Sequence, residues 1–95
     1  MRLTKILLVD DFEPFRRFVR SHLQQMTDFE VSEAADGLEA MQKIQELDPD
    51  LILLDIGLPR LNGIEVADRV QSFAPTTKIL FCSQESSPDV VTGRP

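Results

Sequence analysis

The chain has 95 residues, enough for one domain near the small end of the usual range. Its 42% hydrophobic and 27% charged shares are ordinary globular values, and its formal net charge of -6 lacks the basic patch of a free-standing nucleic-acid binder. The lone Cys82 excludes an intrachain disulfide framework and suits a reducing compartment, and no apolar run approaches the ~20 residues of a membrane span.

The N-terminal residues lead straight into a short apolar run, without the longer h-region or cleavage site of a signal peptide. A cytoplasmic location with no membrane association is expected. Ile6-Leu7-Leu8-Val9 reads as a strand buried on both faces, and Asp10-Asp11 follows it. Pro14 suits the first turn of a helix and biases Glu13 away from helical geometry. Phe15, Phe18, Val19, Leu23 and Met26 recur at helical spacing and predict one buried face, with Arg16, Arg17, Arg20 and Gln24 on the other. His22 lies beside that stripe with no partner for a metal site, so a partly exposed structural role is expected.

Phe29 to Ala34 alternates apolar and polar residues, which predicts a half-buried strand near a sheet edge. Asp36 and Glu39 stand at capping-box spacing, opening a helix whose buried face is Ala40, Met41, Ile44 and Leu47. Asp48-Pro49-Asp50 ends it. Leu51-Ile52-Leu53-Leu54 is a second fully buried strand, and it closes on Asp55. Residues 56–61 form a loop; Asn62 and Glu65 repeat the cap spacing, and Val66, Ala67, Val70 and Phe73 supply a third helix's inner face. Ile79-Leu80-Phe81-Cys82 is the last apolar run, with Cys82 read as a small buried hydrophobe and Ser83 just past it. Ser87-Pro88 resembles the start of a fourth helix that Thr92-Gly93-Arg94-Pro95 would break.

Strands alternating with helices predict βαβ units, right-handed crossovers and an α/β doubly wound parallel sheet. Its strands end in Asp10 and Asp11, in Asp55, and in Ser83. If the strands are neighbours, these groups converge at the carboxyl edge, where open α/β sheets bind ligands. Two carboxylates ~4 Å apart repel by about 4 kcal/mol at an effective dielectric of ~20, so such a cluster calls for protons or a cation. Hard oxygen ligands in a small open site suit Mg²⁺, and a carboxylate can accept a phosphoryl group. The plainer alternative is that each acid caps the next helix or meets water.

Leu7-Leu8-Val9-Asp10-Asp11, Leu53-Leu54-Asp55-Ile56-Gly57-Leu58-Pro59, Gly63 and Ile79-Leu80-Phe81-Cys82-Ser83 together resemble the receiver domain of two-component response regulators. The likeness runs from about Thr4 to Val91. It implies a flavodoxin-like fold with strand order 2-1-3-4, the fifth strand and helix falling beyond the chain, so that residues 1–95 make a single receiver-like domain, incomplete at its C-terminus. It further implies that Asp55 accepts a phosphoryl group from a sensor histidine kinase. Asp11 would ligate Mg²⁺ directly, Asp10 would help, and Asp55 and the Gly57 backbone carbonyl would complete the protein ligands. Ser83 would be the switch hydroxyl, and Pro59 and Gly63 would shape the loop after the acceptor.

The resemblance also implies a phosphate-contacting lysine after the fifth strand. Lys5, Lys43 and Lys78 do not occupy that place, and Lys78 should lie at the sheet edge opposite Asp55. Three readings follow. The chain is a phosphoacceptor module with an intact acidic pocket but no such lysine, impaired in switching, that at most assists its own phosphotransfer and dephosphorylation rather than acting as a turnover enzyme. Alternatively it is a phosphorylation-independent interaction module, forming a homo-oligomer through the exposed edge of the fourth strand. Or it is an inactive remnant of a longer DNA-binding regulator. No direct nucleic-acid contact by these residues is expected.

Overall fold

A computed structural model describes residues 3–26, 28–58, 62–74 and 76–82. The elements follow in strict alternation: β1 (Thr4–Val9), α1 (Glu13–Gln24), β2 (Phe29–Ala34), α2 (Gly37–Leu47), β3 (Leu51–Asp55), α3 (Gly63–Phe73) and β4 (Lys78–Cys82). The strands form one parallel sheet in the order β2-β1-β3-β4. The expected topology is therefore present, with the alternating strand β2 at one edge. Pro59, Ser83 and the proposed fourth-helix start at Ser87-Pro88 lie outside the described residues.

The sheet explains the two continuous apolar runs. Along β1, Leu7 and Val9 face one side and Ile6 and Leu8 the other, and all are buried. Both sides must be apolar because helices cover both. Leu7, Val9, Ile52 and Leu54 meet Ala40 and Ile44 of α2 and Val66 and Val70 of α3 in the larger core. Ile6, Leu8 and Val31 meet Val19 and Leu23 of α1 in a smaller one. Among the described residues a single helix serves that second side, so Leu53 of β3 is only half-buried and Leu80 of β4 is exposed. Phe81, on the opposite side of β4, is exposed as well.

The face of α1 differs from expectation. Phe18 and Met26 are 60% and 55% exposed, and no residue of this helix is fully buried. Successive helical residues are turned by about 100°, so Phe15, Val19, Leu23, Arg16 and Arg20 share one arc and Phe18 lies outside it. The arc takes in the two arginines, and both donate to Glu33 near the end of β2. Phe18 instead meets the His22 ring at a 50° tilt, with ring centroids 4.4 Å apart, and the His22 Nδ1 lies 2.9 Å from the Phe18 carbonyl oxygen. The helix also begins at Glu13, one residue before the start that Pro14 suggested.

The other two helices start as the spacing predicted. Asp36 Oδ1 accepts the Glu39 amide at 2.8 Å, and Glu39 turns back to the amide of Ala35. Asn62 and Glu65 form a reciprocal capping box. At the far end of α2, Asp48 takes a left-handed conformation (φ 50°), which a short polar side chain tolerates.

Gly63 fixes how α3 meets β3. A Cβ at this position would run into the backbone carbonyl oxygen of Asp55, while the Gly63 amide donates to Ile56 O at 3.1 Å. The glycine is required by close approach, beyond its place in a first helical turn. Gly63→Ala should therefore destabilise the protein by about 1–3 kcal/mol through forced displacement of the β3 end. A lowered urea midpoint at constant slope would register this, and an unchanged midpoint would contradict the close approach.

Candidate functional site

β1 and β3 are parallel neighbours in the register Val9↔Leu54, so the residues that follow, Asp10 and Asp55, come level at the carboxyl edge. Carboxylate oxygens of Asp10, Asp11 and Asp55 lie within 4.8 Å of one another. Asp10 and Asp55 are only 3% and 7% exposed, whereas Asp11 faces solvent. The convergence expected from topology is thus present for all three acids. Ser83 lies outside the described residues.

The local backbone aims the two buried acids. Asp10 Oδ1 accepts the amide of Phe12 at 2.9 Å, and Asp55 Oδ1 accepts the amide of Gly57 at 3.2 Å. Each is a side-chain turn onto the backbone two residues on, a habit of aspartate at chain reversals. Neither acid caps a helix: the α1 cap position is Phe12, with no side-chain cap, and the α3 cap is Asn62. Gly57 is exposed, and a Cβ there would meet nothing within 4 Å, so crowding does not explain this glycine.

Electrostatics record the crowding of negative charge. Burial pushes the Asp10 carboxyl above its ordinary range, and the charges of Asp55 and Asp11 push it further; the Phe12 amide and Arg16 oppose the rise. Cys82 pairs with Asp55 across β3 and β4 and is half-buried, less enclosed than expected. Burial raises its thiol, and the charges of Asp10 and Asp55 add to that, so it stays protonated and poorly nucleophilic. Lys78 pairs with Leu51 at the other end of the sheet, far along β4 from the acids, as expected. A cluster of hard oxygens with two deeply buried members suits a small hard cation.

A second polar network adjoins the acids, and the helical pattern did not reveal it. Arg16 donates from Nε to Glu33 Oε1 at 2.9 Å and from a terminal nitrogen to the Asp10 carbonyl oxygen at 2.7 Å. Arg20 donates to the other Glu33 oxygen at 2.5 Å, and Lys43 Nζ donates to the Glu33 carbonyl oxygen at 2.6 Å. The available signal was an Arg pair four residues apart, beside a strand ending near a glutamate. Burial raises the Glu33 carboxyl, but hydrogen bonds and charge from Arg20 and Arg16 outweigh it, leaving the group below its usual range.

An acid-lined carboxyl edge on a doubly wound parallel sheet defines a class of α/β domain that binds ligands at that edge. Residues 6–93 match the model of the response regulator receiver domain. The chain belongs to that family. It is 38% identical over 82 residues to the chemotaxis protein CheY of Listeria monocytogenes, covering 85% of this chain and 68% of that one. Among solved structures it resembles the signal receiver domain of the response regulator NarL from Mycobacterium tuberculosis. That likeness has a TM-score of 0.84 and 31% identity, over 97% of this chain and 75% of the other. It also resembles the response regulator domain of Thermotoga maritima CheB, with a TM-score of 0.81 and 34% identity over 95% and 69% of the two chains. The flavodoxin-like receiver fold is thus established. Receiver domains bind Mg²⁺ at an acidic pocket and pair with histidine kinases in two-component signalling. Among the described residues no helix is long and apolar enough to cross a membrane.

The lowered Glu33 value sets a pH dependence. A carboxyl depressed in the folded state stabilises it above the unfolded value of 4.5, and the contribution disappears as pH falls through the lower folded value. Glu33→Gln should cost about 1–2 kcal/mol at pH 7, with the gap to wild type closing below that range. Urea unfolding of both proteins across acidic pH checks this; a gap that stays constant contradicts it.

Proposed function

We propose that residues 1–95 act as one receiver-like domain that takes a phosphoryl group from a sensor histidine kinase onto Asp55. The supporting observation is the meeting of three carboxylates within 4.8 Å at the ends of adjacent parallel strands, two of them buried. Such a cluster is costly unless a cation offsets it. Asp10, Asp11, Asp55 and the Gly57 backbone carbonyl would hold Mg²⁺. When bound, the ion supplies positive charge against the phosphoryl oxygens.

The protein's own contribution is orientation. The Gly57 amide holds one Asp55 oxygen, and the buried strand behind it removes side-chain freedom. In the transfer, an Asp55 carboxylate oxygen attacks phosphorus and the bond from phosphorus to the kinase histidine nitrogen breaks, the nitrogen keeping the electron pair. Ser83 would act afterwards as the switch hydroxyl, a role that rests on family likeness alone. The domain is a stoichiometric acceptor that assists its own modification. Treatment with a small phosphodonor and Mg²⁺ should add one phosphoryl mass to wild type and none to Asp55→Asn. Asp11→Ala should bind Mg²⁺ at least about tenfold more weakly. A mass gain independent of Asp55, or none at all, would overturn the assignment.

A second reading is favoured by one observation. Leu80 and Phe81 stand 58% and 46% exposed on opposite faces of β4. An apolar strand of this kind can pair with a second copy of the chain. Sedimentation should show concentration-dependent dimers that Leu80→Lys abolishes. A monomer at high concentration contradicts this reading and leaves phosphoacceptance untouched.

A further inference from the structure

We infer that Arg16 is a positioning residue for the acid cluster, working through the peptide that joins Asp10 to Asp11. The metal-binding half of this inference rests on the proposed function; the structural half does not. Arg16 lies on the first turns of α1, its side chain only 14% exposed. One guanidinium nitrogen takes the Asp10 carbonyl oxygen at 2.7 Å while Nε takes Glu33 Oε1 at 2.9 Å. That carbonyl belongs to the peptide between the two acids. Its direction sets the backbone torsions that place the Asp11 carboxylate. The Asp10 amide is held by Ala34 O at 3.1 Å, and Asp10 Oδ1 by the Phe12 amide. Arg16 on the carbonyl thus adds a third tie to these two.

The grip has a rigid anchor. Glu33 is itself fixed by Arg20 on its second oxygen and by Lys43 on its backbone carbonyl. Arg16 therefore ties the Asp10-Asp11 turn to the edge strand β2 and, through Lys43, to α2. The planar fork of arginine is what allows two acceptors in different directions to be held at once; a lysine ammonium at the end of a flexible stem cannot reproduce it.

Simple electrostatics makes the opposite prediction. A positive charge near a cation site weakens cation binding, so removing it should strengthen Mg²⁺ affinity. Positioning predicts that its loss weakens affinity, because outer groups that orient ligating carboxylates raise affinity. Arg16→Lys separates the two, since it keeps the charge and loses the fork.

The test uses the chain as it stands. Amide hydrogen exchange is measured at Phe12 in metal-free wild type and Arg16→Lys, alongside urea stability. Exchange at Phe12 should rise about tenfold beyond any global loss of stability. Mg²⁺ affinity of Arg16→Lys should fall about tenfold. If Arg16→Lys does not fold, Glu33→Gln removes the anchor and is read by Phe12 exchange alone, because losing a negative charge lowers Mg²⁺ affinity by itself. Phe12 exchange that follows global stability alone overturns the inference, as does Mg²⁺ affinity that is unchanged or higher in a variant of intact stability. Should wild type bind no Mg²⁺ while Phe12 exchange still rises, the metal reading fails and the positioning role stands.

Discussion

The parallel alignment of β1 and β3 is the constraint on which the rest depends. Strands that run the same way end on the same edge, so whatever follows them is brought together. Here acids follow both, and Asp10, Asp11 and Asp55 meet within 4.8 Å. Repulsion between such groups is about 4 kcal/mol per close pair at an effective dielectric of ~20. The fold withstands it because the same strands bury Leu7, Val9, Ile52 and Leu54 completely or nearly so. Burial of each such side chain is worth roughly 1.5–3 kcal/mol. The apolar halves of the strands hold their charged ends in place.

The loops that carry the acids are small and heavily tied. Asp10 and Asp55 each turn back onto an amide two residues on, and Gly63 lets α3 approach the β3 end closely. A site of this kind is built by backbone geometry more than by side-chain packing. That suits a family whose members differ widely in length and in what they are joined to. The similarity to a chemotaxis protein and to the signal receiver domain of a response regulator extends over most of this chain.

Polar groups outside the acids settle how the elements are oriented. α1 could have buried Phe15 and Phe18 together, as hydrophobic spacing suggests. Instead the inward arc carries Arg16 and Arg20, which donate to Glu33, and Phe18 lies exposed against His22. The same network reaches the Asp10 carbonyl, so helix rotation and site geometry are linked.

Much of this was legible in the sequence, and the reasons are local. The continuous apolar run at residues 6–9 reports a strand buried on both faces, while in the run at 51–54 Ile52 and Leu54 are buried and Leu51 and Leu53 only half-buried. Asp36 with Glu39, and Asn62 with Glu65, report helix starts through bonds spanning three residues. Strand direction put Asp10, Asp11 and Asp55 on one edge of the sheet, and the adjacency of β1 and β3 brought them together. The rotation of α1, the left-handed Asp48, the close approach at Gly63 and the hold of Arg16 on Asp10 were decided only in the tertiary structure. Each depends on a partner far along the chain or on the path of the backbone, and a periodic pattern carries no information about either. Sequence periodicity sets which residues seek burial, and the meeting of distant polar groups decides which way they finally turn.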